Sequence, residues 1–173
     1  AYDEKYLVSG TLRRDASSRF GNGNNSAIFP SVSAGWRISR ENFMETTSNW
    51  LSDLKLRASW GINGNDMIDN SATYSLYYVD MNTGSYNFSG DGKTLSPGVI
   101  KTMSGNNNLK WEQTEQFNIG IDAAFLDNRL GVTMDYFKKK TKDMLIQKPY
   151  IAAIGEGGYK WYKAASMDNN GVE

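Results

Sequence analysis

Two pairs of carboxylates come closest to the spacing of acid–base chemistry. Glu112 and Glu115, or Asp122 with Asp135, could face one another as the two acids of a glycosidase. On adjoining strands, however, inward carboxylates more often meet Arg or Lys in hydrated space, and that reading is preferred; no catalytic residue is assigned. Asp66 and Asp69 in GNDMIDN offer oxygen ligands for Ca²⁺, but the spacing and closing Glu of an EF-hand are missing, so this is read as a polar loop without a metal. GNGNN (21–25) and GEGG (155–158) lack the Lys-Ser ending and following helix of a phosphate loop and read as turns. Tyr74, Tyr77, Tyr78 and Tyr86 stand in a long polar stretch, where exposed ring faces could stack on sugars. They could equally pack the loop against itself or against a partner protein.

Composition removes other chemistries. There is no histidine and no cysteine, so the usual general base, the Ser-His and Cys-His pairs and thiolate metal sites are all lacking. No cofactor is implied. Lys+Arg and Asp+Glu balance at 19 each, without the basic excess of a nucleic-acid binder. The one basic run, Lys138-Lys139-Lys140, is read as a solvated strand tip. The chain opens at Ala1 with neither a basic n-region nor an apolar h-region, so an export signal is expected outside this stretch. No run of eighteen apolar residues is present. That argues against a membrane helix but not against a barrel, whose strands need only about ten residues, half of them apolar.

The elements that must hold these side chains are strands. From 117 to 125, Phe117, Ile119, Ile121, Ala123 and Phe125 alternate with Asn118, Gly120, Asp122 and Ala124, a period of two. After a turn at Asp127-Asn128-Arg129, Leu130, Val132, Met134 and Tyr136 resume the pattern, which makes a hairpin. Earlier strands are expected at 5–15, at 31–39 opened by Pro30, and at 53–63, with a helical turn at 41–44. Residues 17–29, 64–108 and 143–158 read as loops; the second could carry a small hairpin at 74–88. A sixth strand begins at 159 and is expected to stop in a turn near NNGVE.

Periodicity does not say what the apolar face touches. A secreted β-sandwich that binds glycans or mediates adhesion would bury it against a second sheet; an outer-membrane barrel would turn it to lipid. The connections break the symmetry. Those after strands one, three and five are long, that after strand four is tight, and that after strand two is intermediate. Long loops at one end and short turns at the other is the barrel pattern.

The stretches YLVSGTLRRDASSRFG (6–21), FPSVSAGWRIS (29–39), LSDLKLRASWGINGN (51–65), NLKWEQTEQFNIGIDAAFLDNRLGVTMDYFKKKTKDMLI (108–146) and NNGVE (169–173) resemble the SusC/RagA-type TonB-linked outer-membrane proteins of Bacteroidetes. They cover most of the chain in the family's order. The resemblance implies an all-β, antiparallel up-and-down segment, about six strands, of a barrel of about 22 strands with long extracellular loops. It implies that residues 1–173 are part of the barrel domain, with the plug domain and TonB box outside them. It further implies a cell outer-membrane location, import of oligosaccharides or peptides, a SusD-like surface lipoprotein as partner, and contact with TonB through the absent N-terminal part. An enzyme is not implied, nor is a nucleic-acid partner.

On that reading Tyr6, Val8, Leu12, Val32, Ala34, Trp36, Ile38, Leu54 and Leu56 face lipid, as do Ala58, Trp60, Ile119, Ile121, Ala123, Leu130, Val132 and Met134. Arg13, Asp15, Arg37, Lys55, Arg57, Gln116, Asn118, Asp122 and Asp135 face the lumen. Several of Trp36, Trp60, Trp111, Phe125 and Tyr136 are expected in the aromatic girdles at the membrane interfaces.

Overall fold

The computed structural model describes residues 2–47, 49–80, 85–151 and 158–173. Its strands are β1 (Tyr6–Ala16), β2 (Ser26–Arg37), β3 (Leu51–Asn65), β4 (Leu76–Asp80), β5 (Gly98–Met103), β6 (Glu112–Phe125), β7 (Leu130–Pro149) and β8 (Tyr159–Val172). All lie in one eight-stranded sheet, in the order β1-β2-β3-β6-β7-β8-β5-β4. Every pairing is antiparallel except one parallel contact between β5 and β8 at Met103 and Tyr159.

Register sorts the side chains into rows. Tyr6, Trp36, Leu56, Ile121 and Met134 stand side by side across five strands, and the next such row is Val8, Ala34, Ala58, Ile119 and Tyr136. The intervening row, on the opposite face, is Leu7, Gly35, Arg57, Gly120 and Asp135, followed by Ser9, Ser33, Ser59, Asn118 and Phe137. The apolar rows are not covered: Ile119 keeps 38% and Ile121 47% of its surface exposed. The sandwich alternative fails on this point, because no second sheet stacks on the first among the described residues.

The apolar core lies at the end of the sheet that carries the long connections. Phe20 from the β1–β2 loop, Phe29 of β2, Ile68 and Ala72 after β3, and Leu109 and Trp111 before β6 form one buried cluster. Ala27, Ile62, Leu145 and Trp161 pack against it. Phe20 and Phe29 meet Trp111 at 5.4 and 5.5 Å between ring centroids. The Phe29 ring lies where a Cβ at Gly64 would be, so this glycine is required for the close approach. Arg19 adds a polar strap, donating to the Asp66 carbonyl at 2.9 Å and to Asn70 Oδ1 at 3.0 Å. Trp111 therefore belongs to this core and not to an interfacial girdle.

At the other end the connections are compact. Residues Ile38–Arg40 and Asn42–Thr47 are 3₁₀ segments, so β2 ends at Arg37 and Ile38 leaves the sheet. Glu41 between them accepts hydrogen bonds from Tyr6 Oη at 2.7 Å and Trp36 Nε1 at 3.0 Å, with Lys5 Nζ at 3.6 Å. The Tyr6 hydroxyl, then the Trp36 indole and the Lys5 ammonium, hold its carboxyl below the usual carboxylate range. The β6–β7 turn uses left-handed backbone at Leu126, Asp127 and Asn128 and is tied to the residue just before β3 by Leu126 N–H to the Trp50 carbonyl, 3.0 Å.

Several boundaries differ from the sequence expectation. β2 starts at Ser26, before Pro30, because only β1 flanks that stretch; the ladder to β3 begins one residue later at Ser31, so the missing N–H of Pro30 breaks no interior pair. β6 begins at Glu112, ahead of the clean alternation that starts at Phe117. β7 runs to Pro149: the expected loop start at Asp143 is a bulge, with Asp143 at φ +56° and the register shifting between Thr141 and Leu145. β8 continues through NNGVE to Val172 without a turn. The local hairpin joins 76–80 to 98–103 instead of closing by residue 88, which raises the expected six strands to eight. Of GEGG, residues 155–157 lie outside the described residues.

Leu109 is fully buried. Leu109→Ala should cost about 2–5 kcal/mol. Amide exchange should rise in 66–72 and 106–111 while the middle of β6 and β7 stays protected, as measured by hydrogen–deuterium exchange.

Candidate functional site

The charged residues of the polar rows are brought together by β3, β6 and β7. Arg57 donates Nε–H and Nη2–H to the two oxygens of Asp122 at 2.7 and 2.9 Å, and Nη2–H also to Asp135 at 3.0 Å. Thr133 Oγ1 supports Asp122 at 3.3 Å. The planar guanidinium thus links three strands, with a two-point fork on Asp122 and a single bond from the shared Nη2 to Asp135. Both carboxylates are committed to the arginine, which gives the Asp122–Asp135 pair an ion-pair role in place of an acid–base one.

Gly120 makes the arrangement fit. It lies between Arg57 and Asp135 in the row, and a Cβ there would collide with the Asp135 carboxylate and come within 3.0 Å of Arg57 Nη2. Its role was readable only after register was fixed, since the local sequence places it on a strand but does not show the Arg57 and Asp135 that flank it across the sheet.

Toward the loop end the same face becomes hydroxyl- and amide-rich. Gln116 donates to Asn118 Oδ1 at 3.0 Å, and Asn118 donates to Ser59 Oγ at 3.2 Å. Ser9, Ser33, Ser59, Gly35, Asn118 and Arg57 line a groove of about 430 Å³. Short side chains along β1–β3 leave this groove open, and its polar atoms can take hydroxyl or peptide groups. Lys55 stands beside Asp122 and Arg37 in register, and Arg37 lies 4.0 Å from Asp53. Arg13 pairs with Asp15 at 3.0 Å, and its guanidinium sits over the Phe29 ring at 5.8 Å. All nine expected inner residues therefore share one face, but only Arg57, Asp122 and Asp135 form a bonded charge cluster.

The remaining candidates separate. Tyr77 and Tyr78 are successive residues of β4 and point to opposite faces. Tyr86, in a bridge to Ser96, packs on Phe88 at 5.8 Å, and Tyr74 is exposed in the turn after Ser71. Asp66 accepts from Ser17 at 2.8 Å and faces Arg19, and Asp69 accepts from Trp161 Nε1 at 3.1 Å. Both carboxylates thus fasten loops to one another. Glu112 accepts from Asn65 and the Leu145 N–H, whereas Glu115 accepts from Trp60 Nε1 at 2.9 Å on the apolar face. Three residues apart on β6, those two acids have opposite parity and lie on opposite faces of the sheet.

Gly120→Ala should destabilise the protein by about 1–3 kcal/mol through overpacking against the ion cluster. Gly131→Ala, where an added Cβ meets nothing within 4 Å, should stay within about 0.5 kcal/mol. Urea unfolding midpoints of the two variants check the difference.

Comparison with known proteins agrees with this geometry. A family model described as TonB dependent receptor-like, beta-barrel matches residues 1–173. The chain is 36% identical over 172 residues to TonB-dependent receptor P39 of Formosa agariphila, covering 99% of this chain and 15% of that protein. It is 36% identical over 170 residues to TonB-dependent receptor SusC of Bacteroides thetaiotaomicron, covering 98% of this chain and 16% of that one. The structure of the RagAB peptide transporter superposes with a TM-score of 0.82 at 35% identity, over 98% of this chain and 18% of that one. The siderophore receptor PirA of Pseudomonas aeruginosa shares the fold at a TM-score of 0.60 and 17% identity. The chain therefore spans roughly a sixth of the curated relatives it matches. With a family model matched from end to end and one face of ion pairs opposite an exposed apolar one, the chain belongs to the TonB-dependent receptor β-barrel family.

Proposed function

We propose that this chain is a stretch of wall in a TonB-dependent outer-membrane transporter that imports oligosaccharides or peptides. In this reading the row Leu56, Ile121, Met134 faces lipid, and the row Arg57, Gly120, Asp135 faces an aqueous lumen. The hairpin end lies toward the periplasm and the loop end toward the outside. A SusD-type surface lipoprotein caps the loop end, and TonB acts on a plug domain encoded outside these residues.

The observation that carries the reading is the uncovered apolar face of a single sheet whose other face is ion-paired and hydrogen-bonded. In water such a surface would be a liability; against hydrocarbon it is at rest. The lumen rows are suited to a moving solute. Their cations and carboxylates neutralise one another, so an uncharged sugar or a peptide meets hydrogen-bonding groups without a strong net field. The similarity to RagAB, whose structure is described as a peptide transporter, supports import of a polymer fragment. The exposed tyrosines of residues 74–86 are surfaces on which a sugar ring or a peptide side chain can rest.

Arginine introduced at Ile121 should cost roughly 2–4 kcal/mol near the bilayer midplane, and at Asn118 far less. Equal losses of folded protein in refolding into lipid vesicles would contradict the assigned faces. For the transport role, the full receptor carrying this wall should co-purify with an acylated surface protein from outer membranes. Its uptake of labelled oligosaccharide or peptide should stop when the proton-motive force is collapsed. Recovery of the receptor alone, with uptake unaffected by uncoupler, would overturn the partner and the energy source together.

A further inference from the structure

The basic run is not a strand tip. Lys138 sits in the middle of the 20-residue β7, between Phe117 of β6 and Asn170 of β8, and Lys140 sits between Glu115 and Asp168. Alternation puts Lys138, Lys140 and Lys142 on the face that carries Leu130, Val132, Met134 and Tyr136, while Lys139 joins Gln116 and Asn169 on the other face. All four lysines are exposed. Along one strand the outer face thus changes from apolar to cationic in a single step after Tyr136.

The step falls at a telling height. A lipid-facing apolar band is about 25 Å tall, and a strand tilted by about 40° climbs roughly 2.6 Å of it per residue. Starting from the hairpin at Leu130, the band ends after nine or ten residues by this estimate, near Lys138 and Lys139. Aromatic side chains mark the same level: Tyr136, Phe117 and Trp60 lie on this face, and Trp60 turns its indole N–H to Glu115 at 2.9 Å. A ring in hydrocarbon with its polar edge directed outward is how aromatic residues sit at a membrane interface.

The local charge is not cancelled. Lys140 lies 3.9 Å from Asp168 and Lys142 lies 3.6 Å from Glu115, while Lys138 is flanked across the strands by Phe117 and Asn170. Three cations thus face two carboxylates, spaced two residues apart, or about 7 Å. Whatever touches these lysines is continuous with what touches Met134 and Tyr136 below them, namely lipid rather than a capping protein at the loop tips.

We infer that Lys138, Lys140 and Lys142 form a strip that binds the phosphorylated headgroup of the glycolipid in the outer leaflet. The inference rests on the outward assignment of this face under the proposed function. It makes the wall a lipid-ordering surface on the loop side, at the foot of the platform built around Trp111.

The test uses the full receptor carrying this segment, reconstituted in nanodiscs with phosphorylated lipid A or with enzymatically dephosphorylated lipid A. Retained lipid is counted by native mass spectrometry. Wild type should retain the phosphorylated form preferentially. The triple variant Lys138→Gln, Lys140→Gln, Lys142→Gln should lose roughly fivefold or more of that retention, and Lys139→Gln should not. Equal retention by the triple variant and wild type, equal retention of the two lipids, or a matching loss in Lys139→Gln would each overturn the strip. Heat-modifiable migration of every variant on gels is followed in parallel. Its absence in wild type would count against the barrel-wall reading itself, and the strip would fall with it; its presence confines a negative lipid result to the strip.

Discussion

The structure depends on register across β3, β6 and β7. Side chains of a strand alternate between two faces with a period of two, so a slip of one residue would send every member of a row to the other side. Here the slip would carry Arg57 among Ile121 and Met134 and leave Asp122 and Asp135 without their cation. The Arg57 fork, bonded to carboxylates on two further strands, selects one alignment, and Gly120 supplies the room that alignment requires. Because these groups are about a third exposed, the cluster is better understood as a specificity device than as a large stabilising term.

A sheet with solvent or lipid on both faces has little interior of its own, and that places the one sizeable core where the loops meet. Phe20, Phe29, Ile68, Leu109 and Trp111 come from four separate stretches of chain, so each loop is ordered only when the others are. The result is one platform assembled from several loops. At the opposite end a single carboxylate, Glu41, gathers Tyr6, Trp36 and Lys5 and fixes a short connection. Long connections thus acquire stability from mutual burial, and short ones from a local polar clasp.

This division explains what could be read from the residues alone. Alternation is local, so the middles of β1, β2, β3, β6 and the first half of β7, and the grouping of Arg57, Asp122 and Asp135 on one face, were legible. Pairings across distance were not. β4 and β5 are short, their paired residues lie about twenty or more positions apart in the chain, from Asp80–Gly98 to Leu76–Met103, and neither alternates cleanly. Trp111 resembled a girdle residue because the contacts that bury it, Phe20 and Phe29, are more than eighty residues away. The second half of β7 was hidden by chemistry: a run of lysines and a left-handed Asp143 look like a loop, and only the pairing to β8 reveals a bulged strand. NNGVE misled for the opposite reason, since its Asn-Gly pair signals a turn wherever a neighbouring strand does not override it.

The open edges extend the argument beyond this sheet. β1 pairs on one side with β2, and below Tyr159 the side of β8 away from β7 has no strand partner among the described residues. In hydrocarbon each unpaired backbone group costs several kcal/mol, by order of magnitude, so a lipid-facing wall requires strands on both flanks. That requirement agrees with the chain matching only 15% to 18% of its larger relatives. It also assigns β5 a boundary role. By bridging Tyr159 at Met103, it occupies the top of β8's free edge, so a flanking wall strand can pair with β8 only below that level. Under the proposed function, the height at which the membrane wall gives way to loop architecture is therefore set by where β5 meets β8.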